Sequence, residues 1–125
     1  MLRECARVLK PSGVLAGYLI HTTPDLSDAE EDLACELGPS SVSGASKPGS
    51  LLAEAGFELA VWEDLTEDFR ATCRALGEAR DALEAELREA EGAAVYEEER
   101  RKERDMRKGM DDGLLVRSLL VARLT

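Results

Sequence analysis

The stretch "ECARVLKPSGVLAGYLIH", residues 4 to 21, decides how the rest of the chain is read. Leu2, Cys5, Ala6 and Leu9 recur at i, i+3, i+4 and i+7, the apolar stripe of a helix packed on one face. Lys10 suits the negative end of that helix, and Pro11 stops it. "KPSG" then places proline second and glycine fourth in a turn; with serine rather than glycine third, the expected turn is type I. "VLAGYLI", Val14 to Ile20, is an unbroken apolar run of strand length, as expected of a strand covered on both faces. Gly17 within it would let a neighbouring element approach closely. A helix, a turn and a buried strand in such quick succession are how the interior of an α/β domain reads, so we expect the chain to open partway through one.

The chain has 125 residues, enough for one domain and too few for two of ordinary size. Apolar residues make up 44% and charged residues 34%, a balance that supports folding and argues against disorder. The net charge of −10 would repel both a nucleic-acid backbone and an anionic membrane, so neither is expected as a partner. The longest apolar runs are far short of a membrane span, and no cleavable leader pattern is visible. A soluble, cytoplasmic protein is the expectation. Cys5, Cys35 and Cys73 are odd in number and widely spaced, which suits free thiols in a reducing compartment. With His21 they would make four zinc ligands, but there is no paired C-x-x-C unit, and no metal site is expected.

Beyond His21 the chain turns polar. "TPDLSDAEEDLACEL" reads as a helix capped by Asp25 or Ser27, with acidic residues in its first turn and Leu33 and Leu37 on one side. "GPSSVSGASKPGS", residues 38 to 50, is loop-like. Gly44 and Gly49 have the spacing of a phosphate-binding loop, but Ser50 and Leu51 stand where that motif requires Lys and Ser or Thr. "PGSLLAEAGF" is a short helix stopped by Gly56. "FELAVWEDL" alternates, with Phe57, Leu59, Val61 and Glu63 on one face, as a strand nearer the sheet edge than the first. A helix capped by Thr66 and carrying Phe69, Cys73, Leu76, Leu83, Leu87 and Ala90 runs to Gly92. A second, highly charged helix follows, and the two are expected to form an αα-hairpin over residues 66–112. "LLVRSLLVARL", Leu114 to Leu124, is too apolar for an exposed edge and should lie inside a sheet.

Taken with its motifs, this order resembles the C-terminal half of a class I S-adenosylmethionine-dependent methyltransferase, a Rossmann-like α/β domain. "LRECARVLKPSGVLAGYLI" is similar to the family's helix ending R-V-L-K-P-G-G before its fifth strand, with Ser12 replacing the first glycine. "LLAEAGFE" resembles the L-L-x-x-A-G-F before the sixth strand, and the terminal apolar run resembles the seventh. The resemblance implies an incomplete fold of three C-terminal strands with flanking helices, the seventh strand antiparallel between the other two. A long αα-hairpin would be inserted before the last strand. The expected organisation is one partial domain: residues 1–65 as helix, strand, insertion, helix and strand, 66–112 as a hairpin lid, and 113–125 as the final strand.

The family binds S-adenosylmethionine through a glycine-rich loop and neighbouring strands that would precede Met1, and no G-x-G-x-x-G occurs in this chain. The cofactor is therefore expected in the complete family domain and not on this chain alone, and no cofactor-binding residue is assigned. What the resemblance carries over is the substrate side. Ligands of open α/β sheets sit beyond the carboxyl ends of the strands, which points to His21, Thr22 and Thr23. Histidine can hydrogen-bond an acceptor or take its proton near neutral pH. Phe69, Tyr96 and Met106 of the hairpin would face a small-molecule acceptor from above, although packing between helix and sheet is the plainer role for each. Trp62 is expected to be packing. Besides a coiled-coil-like adaptor built on the hairpin with the sheet as passenger, which Arg80 in its stripe weakens, two functions stay open. One is the substrate-side portion of a methyltransferase, inactive alone. The other is a non-catalytic binding module. It would pair its open strand, Val14 to Ile20, with an N-terminal half-domain or with a second copy, because an unpaired apolar edge is an aggregation template.

Overall fold

The two longest apolar runs of the sequence are strands, and they pair with each other. The structure, a computed structural model, describes residues 1–40, 42 and 48–125. Its elements are α1 (Leu2–Val8), β1 (Val14–Thr22), α2 (Asp28–Leu37), α3 (Pro48–Glu54), β2 (Phe57–Asp64), α4 (Thr66–Ala82), α5 (Glu84–Glu91), α6 (Ala93–Asp111) and β3 (Leu115–Leu124). Of the Gly44 to Gly49 spacing, Gly44 falls within residues 43–47, outside the described set, and Gly49 lies in α3.

Among the described residues the sheet has three strands in the order β1-β3-β2, and β3 is antiparallel to both neighbours. The interior place expected for the last strand is the observed one. Contrary to expectation, β2 is no nearer the edge than β1, because among the described residues both border the sheet. β1 also runs two residues further than its apolar run, taking His21 and Thr22 into the ladder opposite Val116 and Leu115.

The pairing assigns side chains to faces, since opposed residues share a side and neighbours alternate. On one face Leu15, Phe57, Leu120, Ala122 and Leu124 pack against Leu2, Cys5, Ala6 and Leu9 at α1 and against Leu52 and Ala55 at α3. The stripe read from the first helix is thus a packed stripe. The other face is covered only at one end. There Ile20 and Leu115 meet Ala34 of α2, Phe69 and Cys73 of α4, and Met106 and Met110 of α6. Further along the same face Val14, Tyr18 and Val61 remain 51%, 63% and 41% exposed.

Several local expectations are revised. Ser12 has φ +62°, and Gly13 N–H donates to the Lys10 carbonyl at 2.8 Å. A positive φ at the third position belongs to a type II turn, not type I. Position outweighs residue preference here, because the turn must deliver the Gly13 carbonyl to Leu124 N–H, 2.9 Å away, in register with β3. In β2 the pairing jumps from Leu59↔Ala122 to Val61↔Val121, leaving Ala60 as a bulge. The simple alternation fails there: Phe57, Leu59, Trp62 and Asp64 share the α1 side, and Val61 lies on the other. The helix expected to run from Thr66 to Gly92 breaks at Leu83, where the Tyr96 hydroxyl donates to the Arg80 carbonyl at 3.2 Å and competes with the helical ladder. In α2, Ser27 caps with a reciprocal Glu30 bond, and Ala34 rather than Leu33 is buried. Thr66 is not the cap of α4. It donates its N–H and hydroxyl to the Asp64 carboxylate at 2.9 and 2.6 Å.

Helices α4, α5 and α6 pack together over the covered end of the sheet. Gly77 permits the close approach of α4 to α6: a side chain there would meet Arg100 and the carboxylate of Glu103. Glu103, itself buried, is paired with Arg100 at 2.8 Å and Arg107 at 3.2 Å.

Candidate functional site

β1 and β2 both end beside the start of β3, and two groups of side chains form there on opposite faces. The first is built on His21. Its Nδ1 donates to the Thr22 carbonyl at 3.0 Å, which fixes the proton on Nδ1 and leaves Nε2 to accept from the Ser118 hydroxyl at 2.9 Å. The Trp62 ring lies tilted against the imidazole with centroids 5.4 Å apart. Asp64 completes the row. The Thr66 hydroxyl, then the Thr66 N–H, hold its carboxyl below the usual carboxylate range. Ser118 is fully buried, so its hydroxyl orients the imidazole and cannot meet a ligand.

The second group lies across the sheet. A cleft of about 700 Å³ opens between α2, α4, α6 and the end of β1. Its apolar wall is Ile20, Leu37, Phe69, Cys73, Leu76 and Met106. Arg80, Arg101 and Lys102 stand at its border, each already paired with a carboxylate: Glu91, Glu98 and Glu99 respectively. Burial pushes the Cys73 thiol up and Glu103 adds to the effect, against the charges of Arg107 and Arg117.

The structure therefore separates the residues that the sequence groups together. Phe69 lines the cleft, as does Met106. His21 faces the opposite side of the sheet. Thr22 is buried on the cleft side of the sheet, opposite Leu115. Thr23 is a clamp: its N–H donates to Leu114 O at 3.0 Å and its hydroxyl to Gly113 O at 2.6 Å, tying the end of β1 to the turn before β3. Tyr96 of α6 is buried against α4 and α5, its hydroxyl donating to Arg80 O with the Arg88 guanidinium 4.4 Å from its ring centre, and is not among the cleft residues.

Arg117 is the residue that sequence reasoning passed over. It sits on β3 directly opposite Ile20, with its guanidinium carbon 4.1 Å from the Tyr18 ring centre and 4.3 Å from that of Phe69. Its signal was present in "LLVRSLLVARL", where a cation interrupts an otherwise apolar interior strand.

The two strand-to-helix junctions among the described residues, 23–27 after β1 and Leu65 after β2, contain no glycine. Among the described residues no group of three or more His, Cys, Asp or Glu side chains could hold a metal ion, and no helix is long and apolar enough to cross a membrane.

No protein-family model matches the sequence, and no curated protein matches it. Solved structures match the fold. A protein assigned as a sarcosine dimethylglycine methyltransferase from Galdieria sulphuraria superposes with a TM-score of 0.81 at 16% identity, over 98% of this chain and 45% of its own. The apo-form of mycolic acid cyclopropane synthase CmaA1 gives 0.79 at 15% identity, over 98% of this chain and 50% of its own. Phosphoethanolamine N-methyltransferase 2 of Haemonchus contortus, solved with phosphomonomethylethanolamine and S-adenosylhomocysteine, gives 0.76 at 13% identity, over 98% and 29%. The chain thus spans at most half the length of these structures. At such identities the likeness shows the fold: an α/β arrangement of the methyltransferase-like kind, with a three-stranded antiparallel sheet and packed helices.

Proposed function

We propose that the chain is the C-terminal, substrate-side portion of an S-adenosylmethionine-dependent methyltransferase domain, inactive alone. The observation that carries this reading is the strand order β1-β3-β2, with the last strand antiparallel in the middle and the outer edge of β1 unpaired among the described residues. That edge is where the cofactor-binding strands of the complete family domain would continue the sheet. The matches over 98% of this chain but at most half of each neighbour fit the same reading. The cofactor would be held by those further strands. The cleft walled by Ile20, Phe69 and Met106 would receive the small-molecule acceptor, with α4 to α6 as its lid. Thr22 and Thr23 would hold the strand end beneath it, Tyr96 would fix the lid's helices, and His21 would set the opposite wall through Ser118 and Trp62.

A second reading is favoured by the exposure of Val14 and Tyr18 beside the unpaired edge. In it the chain is a non-catalytic module that pairs this edge with a partner or with itself. One experiment separates the two. The native polypeptide is captured from its source cells with an antibody to residues 97–108, weighed intact with whatever accompanies it, and titrated with S-adenosylmethionine. The methyltransferase reading expects a longer chain, or a complex, that binds the cofactor. Capture of 125 residues, alone or self-associated, with no cofactor binding would overturn it.

A further inference from the structure

We propose that the cleft, together with Arg117, is a binding site for an organic monocarboxylate with an apolar body. The cleft supplies the place for the body: about 700 Å³ walled by Ile20, Leu37, Phe69, Leu76 and Met106, within the usual range for a small-molecule site. Arg117 supplies the anion contact. Arg80, Arg101 and Lys102 at the border each have a carboxylate partner, whereas among the described residues the Arg117 guanidinium has neither an ion pair nor a hydrogen bond.

Arg117 is not itself a cleft residue, but its placement ties it to the cleft: it is cross-strand to Ile20, with its guanidinium carbon 4.3 Å from the Phe69 ring centre, and both of those residues line the cavity. The Tyr18 ring centre is also close, 4.1 Å from that carbon, and rings accept no N–H in a conventional hydrogen bond, so the donors remain for a ligand. The planar fork of guanidinium donors matches a carboxylate with two parallel bonds. Arg117 is a single cation, and Glu36 lines the same cleft with no ion pair among the described residues, so a second negative charge on the ligand is disfavoured and a carboxylate is preferred over a dianionic phosphate. A body of alkyl or aryl character then packs along Phe69 and Met106. This assignment deepens the acceptor reading and rests on it only for calling the ligand a substrate; the binding itself needs no cofactor.

The test uses the 125-residue chain with octanoate, octanol and octyl phosphate, followed by methyl NMR, with circular dichroism on the same samples. Octanoate is expected to bind about ten- to a hundredfold tighter than octanol, the range for hydrogen bonds to a charged group. It should also bind tighter than octyl phosphate and shift the methyls of Ile20, Leu76 and Met106. Arg117→Gln should bring octanoate and octanol to within about threefold, the preference for charge being lost. Arg117→Lys, which keeps the charge without the fork, should restore part of it. Equal binding of octanoate and octanol, a preference that survives Arg117→Gln, tighter binding of octyl phosphate, or shifts confined to Val14 and Val121 on the open sheet would each overturn the proposal. A chain that is unfolded alone would overturn it too, since the site is assigned to these elements by themselves. The assay contains no S-adenosylmethionine, so its failure leaves the methyltransferase reading standing. Failure of that reading likewise leaves octanoate binding intact.

Discussion

Gly109→Ala should destabilise this protein, and the same substitution should stabilise it once Leu115 is Ala. Gly109 lies in the last turns of α6 directly under Leu115, which is 1% exposed. A methyl at 109 would overlap Leu115 Cδ1 and lie 3.0 Å from its Cγ. Leu115 has little room to yield, because it is paired with Thr22 in the ladder and packed in the cluster with Met110 and Ala34. Two effects oppose each other. Replacing glycine by alanine in a helix gains about 0.8–1 kcal/mol, less near its end. Overpacking a filled core costs about 1–3 kcal/mol. The net for Gly109→Ala is a loss of about 1 kcal/mol, and Leu115→Ala alone should cost about 2–5 kcal/mol. In the Leu115→Ala background the overlap is gone and only the helix gain remains, so adding Gly109→Ala should recover up to about 1 kcal/mol. Urea unfolding followed by the fluorescence of the single tryptophan, Trp62, measures all four corners of the cycle. A Gly109→Ala effect equal in both backgrounds to within about 0.5 kcal/mol would refute the packing argument.

Ser12→Gly should raise stability by up to about 1 kcal/mol. The left-handed conformation costs a non-glycine residue about 1–2 kcal/mol and glycine loses part of that in chain entropy, and a lower urea midpoint would contradict the turn assignment. Iodoacetamide should label exposed Cys35 first and Cys73 last, since burial both hides the Cys73 thiol and keeps it protonated; peptide mass spectrometry showing equal initial rates would contradict this. Asp64 has a folded pKa below its unfolded one, so its stabilisation is complete above the ordinary carboxylate range near about 4 and is lost as pH falls through the folded value. Asp64→Asn should therefore flatten the acid side of the stability profile, and an unchanged slope would count against the Thr66 contact. Val14→Lys with Tyr18→Lys should lower concentration-dependent light scattering by charging the open edge and face of β1, while unchanged scattering would mean that this surface does not drive association.

The strands and most helices could be read from the sequence because their periods are written in residue type; the site could not, and the reason lies in the same strands. In "VLAGYLI" every position is apolar, so the run announces a strand but conceals its phase, and nothing marks whether Ile20 or His21 turns toward the helices. The pairing puts Ile20 with Phe69 in the cleft and sends His21 to the other side, where Ser118 and Trp62 hold it. The neighbouring strand hides its phase in a different way, since the Ala60 bulge shifts the alternation within "FELAVWED" with no glycine to signal it. Only β3 carries a usable mark. Arg117 and Arg123 are six residues apart, hence on one face by strand parity, and that is the face with Tyr18, the open surface and the cleft. A charged side chain in an interior strand has to find water, a ring or a counter-ion, and Arg117 has two rings and no counter-ion among the described residues. That unmatched charge, rather than His21, is what the proposed carboxylate would meet at this end of the sheet.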